Sequence, residues 1–535
     1  MVNFENIFDD MEDSSCNIGT GSRTRAEYGD PGIKAYRGNP FIEALPPVLT
    51  GKEALAALTH KPEYDEAEKG LPDHLRVHAI MNALEFFTPL DIHLELEDKF
   101  SRLIRRGYRV RNPFLRNSLK DIEARLVKLA SSRALPSQRV QNSPLGFSII
   151  GFPGVGKTSS ANAILSLYPQ VIYHREYQGA PFTRTQITWL KLECPHDGSA
   201  RALCLGFFQT LDDLLGTNLF KKFAAKLYTT DVLLIMMARF AALVGLGVLV
   251  IDEIQHLRAS STGGDDKFLN FFVQLSNVIG IPVVFIGTFK AMKALAKEFR
   301  QIRRGCGFGD KVWEPMKEGE WVEVPEKDRA REKTKKTKQA GEKGDWQQFL
   351  ESLWRYVYVR KGSPLTRELS RVLYEETQGI ADFAVKIFML AQVRAIVNGD
   401  EQITRDNIFS VARDSLQMAQ PVLEAMRTGD STTLARYEDV QMPDIDEMIN
   451  EELKGRKAQS LNAKSLKANS PETKTTAPAK PRGRGGRAGK KGATEIYAEG
   501  DLRGIAAGGA ADGLTAYESM TRAGVTDSGQ KGIAG

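Results

Sequence analysis

Cysteine is scarce in this chain. Its four copies, Cys16, Cys194, Cys204 and Cys306, stand far apart among 535 residues, and no C-x-x-C pair exists. That argues against a disulfide framework or a cysteine zinc site and suits a reducing cytosol. The segment Met1-Val2-Asn3-Phe4-Glu5 is acidic and lacks the basic and apolar regions of a secretory signal. Long apolar runs are nearly absent too. The exception runs from Val232 to Ile251, twenty residues with a single charge, Arg239. Its length would allow a membrane span. The central charge, Gly245 and Gly247, and the Asp252-Glu253 that follows fit a buried helix, a glycine turn and a buried parallel strand better. No membrane partner and a cytoplasmic location are therefore expected. Internal repeats are also lacking.

What is present is ordinary globular material, 42% apolar and 26% charged. At this length two or three domains with linkers are expected. The net charge of +6 is not evenly spread. Between Lys454 and Lys491 stand twelve basic residues against one acid, Glu472, so the remainder of the chain is net acidic. Residues 1–40, polar and glycine-rich, read as a flexible arm. Residues 41–144 read as a helical region, with helical spacing over Ala79–Phe87 and Leu119–Leu129. Between those runs, Arg102, Arg105, Arg106, Arg109, Arg111 and Arg116 interleave with Tyr108 and Phe114. A solvated helix face and a partner or DNA contact both fit that cluster. Residues 145–310 alternate strand runs (Gly146–Ile150, Ile187–Leu192, Val248–Ile251, Val283–Ile286) with helices, the pattern of a parallel sheet covered on both faces. Residues 311–345 read as a charged loop or insert, 346–450 as an α-helical lid with C-terminal helices, and 451–535 as a disordered tail, basic and then Gly/Ala-rich.

The segment from Gly151 to Thr158 reads Gly151-Phe152-Pro153-Gly154-Val155-Gly156-Lys157-Thr158. It fits G-x-x-x-x-G-K-[ST] and sits between an apolar strand run and a small-residue helix beginning at Ser159, the context that a P-loop requires. Its backbone N–H groups can cradle phosphates, Lys157 can reach the β/γ-phosphates of ATP, and Thr158 can hold Mg²⁺. Downstream, Val248-Leu249-Val250-Ile251-Asp252-Glu253 delivers two carboxylates to a strand end. Asp252 is placed to orient Mg²⁺ and Glu253 to polarise an attacking water. A further strand ends at Thr288, which is placed to bond the γ-phosphate or the water. Arg300, Arg303 and Arg304 follow a helix (Ala291 to Phe299), and Arg303 or Arg304 is expected to act as a finger across a subunit interface.

This order resembles that of AAA+ ATPases: P-loop, Asp-Glu, polar strand end, arginine, then helical lid. It implies a site between subunits, and hence an oligomer. One departure lies in the lid, where Asp382 stands in place of the sensor arginine that many members carry, with Lys386 one turn later. More narrowly, the chain resembles the TnsC/TniB group of transposition regulators. The resemblance rests on Tyr36–Pro47 (YRGNPFIEALPP), Arg106–Pro113 (RGYRVRNP), Gln186–Ser199 (QITWLKLECPHDGS), Asp252–Leu257 (DEIQHL) and Leu353–Tyr356 (LWRY). It implies a protein that binds ATP, forms a helical homo-oligomer on double-stranded DNA and links a target selector of the TniQ/TnsD type to a TnsA/TnsB-type transposase. Hydrolysis would then disassemble it. By the same analogy, Lys191, Arg201, Lys221 and Lys222 would grip DNA, and the C-terminal region would meet the transposase. By its own RGG-like composition, the Lys480–Arg487 stretch could instead add loose electrostatic affinity for nucleic acid or act only as a solubilising tail. An origin-recognition-like loader or a signalling ATPase that does not act on DNA would share the core motifs, and dependence on duplex DNA separates these readings.

Overall fold

Val248-Leu249-Val250-Ile251 carries no polar residue, so a strand built from it must be covered on both faces. The structure, a computed structural model, bears this out. It describes residues 22–114, 146–256, 281–291, 311–322 and 343–429, with isolated positions at 272–280 and 445–453. All of these belong to one unit, Met1–Ser465; the other, Leu466–Gly535, lies outside the described residues. So do the run Leu119–Leu129, Arg116, Arg300, Arg303, Arg304 and nearly all of the tail.

The central sheet has five strands: β2 (Gly146–Gly151), β5 (Trp189–Glu193), β6 (Val248–Asp252), β7 (Val283–Gly287) and β8 (Lys311–Trp313). Their order is β5-β6-β7-β2-β8, parallel throughout. Because β7 lies between β2 and β6, the ends of the P-loop strand, the Thr288 strand and the Asp252 strand share one sheet edge. Such an edge is where open α/β sheets place ligands. Alternation along β6 feeds two cores. Val248 and Val250 pack with Leu96, Phe100, Leu103 and Ile104 of α4 (Asp91–Val110) and with Ile164 of α5 (Lys157–Leu165). Leu249 and Ile251 pack with Phe207 and Leu211 of α6 (Ala200–Leu215) and Met237 of α8 (Thr230–Leu243). The apolar run 232–251 is thus a helix, a turn and a strand. No helix among the described residues is long and apolar enough to cross a membrane.

Several elements depart from the sequence reading. A second sheet, β1-β3-β4, contains β1 (Arg23–Arg25), β3 (Val171–Tyr177) and β4 (Ala180–Ile187). β1 runs parallel to β3, so the described part of residues 1–40, taken from composition as an arm, is docked. Tyr28 Oη donates to His174 Nδ1 at 2.8 Å, and His174 Nε2 donates to Gln186 Oε1 at 2.8 Å. Burial pushes the His174 imidazole down to about 4, so the ring is neutral in this contact. The run Ala79–Phe87 is not one helix. α3 (Asp73–Ile80) ends in a 3₁₀ turn, Met81–Leu84, because Phe87 turns away to exchange backbone hydrogen bonds with His60 at 2.9 Å each. Residues 311–345, expected as a charged loop, begin with β8, whose Trp313 is buried. Gln347 reaches back to Val322, accepting from its N–H at 2.9 Å and donating to its carbonyl oxygen at 2.7 Å. The arginine cluster is split: Arg105 and Arg111 are buried, Arg111 donating to Leu246 O at 2.6 Å, while Arg102, Arg106 and Arg109 are exposed.

The helical lid comprises α9 (Asp345–Leu353), α10 (Arg367–Thr377), α11 (Ala381–Asn398), α12 (Arg405–Ser415) and α13 (Gln420–Thr428). Val77 and Ile80 of α3 enter its core beside Tyr358 and Phe388. The N-terminal region therefore straddles the molecule, α3 on the lid and α4 on the sheet. Arg76 fixes the first attachment. Fully buried, it bonds Glu401 twice, at 2.7 and 2.6 Å, and Tyr358 O at 3.2 Å. Removing one partner of a buried ion pair strands the other charge. Arg76→Met is expected to cost about 3 kcal/mol, read as a lowered thermal or denaturant midpoint. An unchanged midpoint would mean that α3 does not brace the lid.

Candidate functional site

The loop after β2 must turn its N–H groups inward, and this is done with φ +74° at Gly154 and +96° at Gly156, values that favour glycine. Gly156 is the N-cap of α5, so the helix's open N–H groups and its dipole face the loop. Lys157, the first residue of α5, is buried and donates to Gly151 O at 3.0 Å and Phe152 O at 2.6 Å. Desolvation lowers its ammonium to about 8, while Glu253 and Asp252 oppose the shift. Thr158 Oγ1 donates to Asp252 Oδ2 at 2.9 Å, joining the P-loop to the end of β6. That pair is an all-oxygen donor set of the kind that suits a hard divalent cation.

Asp252 has a second cation nearby. Lys191 Nζ, from β5, lies 3.6 Å from Asp252 Oδ2. Among the residues expected to grip DNA, Lys191 is therefore paired with Asp252. Arg201 donates to Tyr228 O at 2.6 Å and ties α6 to the turn before α8. Lys221 and Lys222 are exposed on the short helix α7 (Leu219–Ala224).

Glu253 adopts φ +54°, and its N–H donates to Asp252 Oδ1 at 2.9 Å. Its carboxylate accepts from Gln255 Nε2, and Gln255 Oε1 accepts Thr288 N–H at 3.1 Å. Thr288 Oγ1 is buried and has no hydrogen-bond partner among the described residues. Pro153, Gly154, Val155, Gly156, Lys157, Thr158, Ser159, Asp252, Glu253 and Thr288 converge on a single cleft of about 1060 Å³; of the P-loop residues, Gly151, the last of β2, and Phe152 stand back from its wall.

Residues that motif reading did not reach complete the cleft. Phe86, Phe87, Leu90 and His93 of the N-terminal region and Met316 beyond β8 form apolar wall. His93 Nδ1 accepts Leu90 N–H at 2.8 Å, and burial pushes the ring down to about 4, so it is a neutral part of that wall. His196 and His256 also line the cleft with ring centroids 4.6 Å apart. The lid contributes Gly379, Ala381, Asp382 and Val385. Asp382 N–H donates to Gly154 O at 3.1 Å, and its carboxylate holds Lys386 at 2.9 Å. Lys386 is thus partnered with the acid that stands where a sensor arginine was expected. Gln255 was visible in the sequence only as part of the segment Asp252–Leu257, with no role attached to it.

Residues 142–295 match the AAA domain family. Together with the sheet order and the P-loop, this defines an AAA+ P-loop fold: a parallel sheet with helices on both faces and a helical C-terminal region. No curated protein matches this chain in sequence. Among solved structures, Aeropyrum pernix ORC1 in complex with DNA is similar at 14% identity over 64% of this chain and 86% of that one, with a TM-score of 0.33. The Aeropyrum pernix ORC2 protein, in its ADPNP–ADP complexes, is similar at 12% identity over 64% and 86%, with a TM-score of 0.32. A Walker-type ATPase of Pyrococcus abyssi is similar at 15% over 63% and 90%, with a TM-score of 0.32. Likenesses this distant carry no inference about activity or partner.

The Lys157 shift gives a pH prediction. A cation whose pKa is lowered to about 8 loses its charge as pH rises through that value, so affinity for triphosphate is highest below it. Affinity for a fluorescent ATP analogue is expected to fall about tenfold between pH 7 and 9. In Lys157→Met this slope should vanish; an equal slope in both proteins would remove Lys157 as its source.

Proposed function

We propose that this chain is an ATPase, located in the cytoplasm, that regulates DNA transposition by assembling on double-stranded DNA. The observation that carries the ATPase reading is the convergence of Lys157, Thr158, Asp252, Glu253 and Thr288 on one cleft between sheet edge and lid. The P-loop amides and Lys157 bind the phosphates. Thr158 and Asp252 are the residues that would hold Mg²⁺, which, when bound, neutralises charge on the phosphate oxygens. Glu253 accepts a proton from the attacking water, and the unpartnered Thr288 hydroxyl is free to bond the water or the γ-phosphate. The apolar wall of Phe86, Phe87 and Leu90 suits the base. Arg303 or Arg304, outside the described residues, is the proposed finger from a neighbouring copy.

The transposition reading rests on the TnsC/TniB-like segments, which imply a helical homo-oligomer bridging a TniQ/TnsD-type selector and a TnsA/TnsB-type transposase. Phosphate contacts suit a protein that must accept varied target sequence. Lys221 and Lys222 are exposed and remain proposed contacts, with Arg201 shaping the adjoining turn. Lys191 lies 3.6 Å from Asp252 Oδ2, so it is a weaker candidate for a DNA contact than the exposed pair.

Electron microscopy tests the assembly. ATP with duplex DNA should give helical assemblies; Lys157→Ala should give none, and Glu253→Gln should give assemblies that persist. Monomers alone from the unmodified chain would contradict the proposal. A separate titration tests the DNA face. The Lys221→Ala/Lys222→Ala pair should weaken duplex binding and reduce the slope of log affinity against log salt by about two. An unchanged slope would remove this face from the contact.

A further inference from the structure

Gln255 sits in the 3₁₀ turn Ile254–His256 that follows β6, and it is buried. Both ends of its amide are used. Nε2 donates to Glu253 Oε2, while Oε1 accepts the N–H of Thr288 at 3.1 Å. One side chain therefore links the carboxylate at the end of β6 to the peptide at the end of β7. The approach is close enough to need glycine on β7: a Cβ at Gly287 would stand 2.9 Å from Gln255 Oε1 and 2.7 Å from Ile254 Cγ2. The carboxylate it holds belongs to a residue at φ +54°, a conformation that non-glycine residues seldom adopt and that the surroundings must enforce. Beside the same peptide, the Thr288 hydroxyl is buried without a partner among the described residues.

We propose that Gln255 is a positioning residue for Glu253. This rests on the hydrolytic reading above. The amide occupies one carboxylate oxygen and fixes the rotamer, leaving Oε1 to take the proton of water. It also ties that carboxylate to the peptide carrying Thr288, so the two groups expected at the attacking water keep a set relation. Only an amide meets both demands. It offers a donor to the carboxylate and an acceptor to the N–H, whereas an ionised carboxyl offers acceptors alone. Among the described residues, Lys157 and Asp252 stand at Glu253, and His196, His256, Lys311, Glu314, Lys317, Asp345 and Asp382 line the same cleft.

Two variants of the full chain test this, read by steady-state ATP turnover, by affinity for a fluorescent ATP analogue and by thermal unfolding. Gln255→Met keeps shape and loses both hydrogen bonds. Its kcat should fall about 10- to 100-fold, the usual consequence of a misplaced reacting group, with KM and analogue affinity within about twofold of the unmodified chain. Gln255→Glu keeps the shape and the acceptor for the Thr288 N–H but, ionised, loses the donor to Glu253. Its kcat should fall at least as far as in Gln255→Met, with KM, analogue affinity and thermal midpoint close to those of the unmodified chain, a split that a packing role would not produce. Turnover by the unmodified chain together with a kcat in Gln255→Met or in Gln255→Glu within twofold of it overturns this inference and leaves the hydrolase reading intact. No turnover by the unmodified chain overturns that reading, and this inference with it.

Discussion

The hydrogen bond from Thr158 Oγ1 to Asp252 Oδ2 closes the site. It joins the first turn of α5 to the last residue of β6, two points 94 residues apart in the chain. Everything chemical in the cleft is arranged around that closure. It depends in turn on the strand order, because β7 separates β2 from β6 and so delivers Thr288 between them. A different order would leave the same motifs intact in sequence and scattered in space.

Around this pair, the polar groups of the site are partnered to one another. Lys157 is held by loop carbonyls, Asp252 by Thr158 with Lys191 close by, and Glu253 by Gln255. Buried polar groups left unmatched are costly, so such partnering is what keeps a charged cleft compatible with a stable core. The hydroxyl of Thr288 is the exception among them. The lid joins the arrangement through its backbone: the N–H of Asp382 on the carbonyl of Gly154 links α11 to the P-loop. Because α3 is anchored in the lid by Arg76 while α4 packs on the sheet, the N-terminal region spans the two bodies whose edges line the cleft.

Much of this was legible in the sequence where local chemistry sufficed. The P-loop needs only its own glycines and flanking elements, and β6 announces itself by four apolar residues ending in acids. β2 and β7 were also legible, as apolar runs leading into the P-loop and into Thr288. What escaped was set by distant contacts. β1 is three polar residues, Arg23, Thr24 and Arg25, whose strand character comes from pairing with β3. β8 is likewise short, and its identity comes from alignment with Ile149 to Gly151. The helical spacing of Ala79–Phe87 was overridden by the bridge between His60 and Phe87. Lys191 read as a surface base because its partner, Asp252, lies on the next strand. The aromatic wall from Phe86 to His93 had no motif at all, since it is defined only by the sheet edge and lid that it meets.

The central claim is that Thr158 and Asp252 form one divalent-cation site serving a triphosphate. The most direct measurement is ATP affinity as a function of Mg²⁺ concentration, in the unmodified chain and in Asp252→Asn. The account expects affinity to rise with Mg²⁺ in the former and to respond far less in the latter. The same Mg²⁺ dependence in both proteins would contradict it.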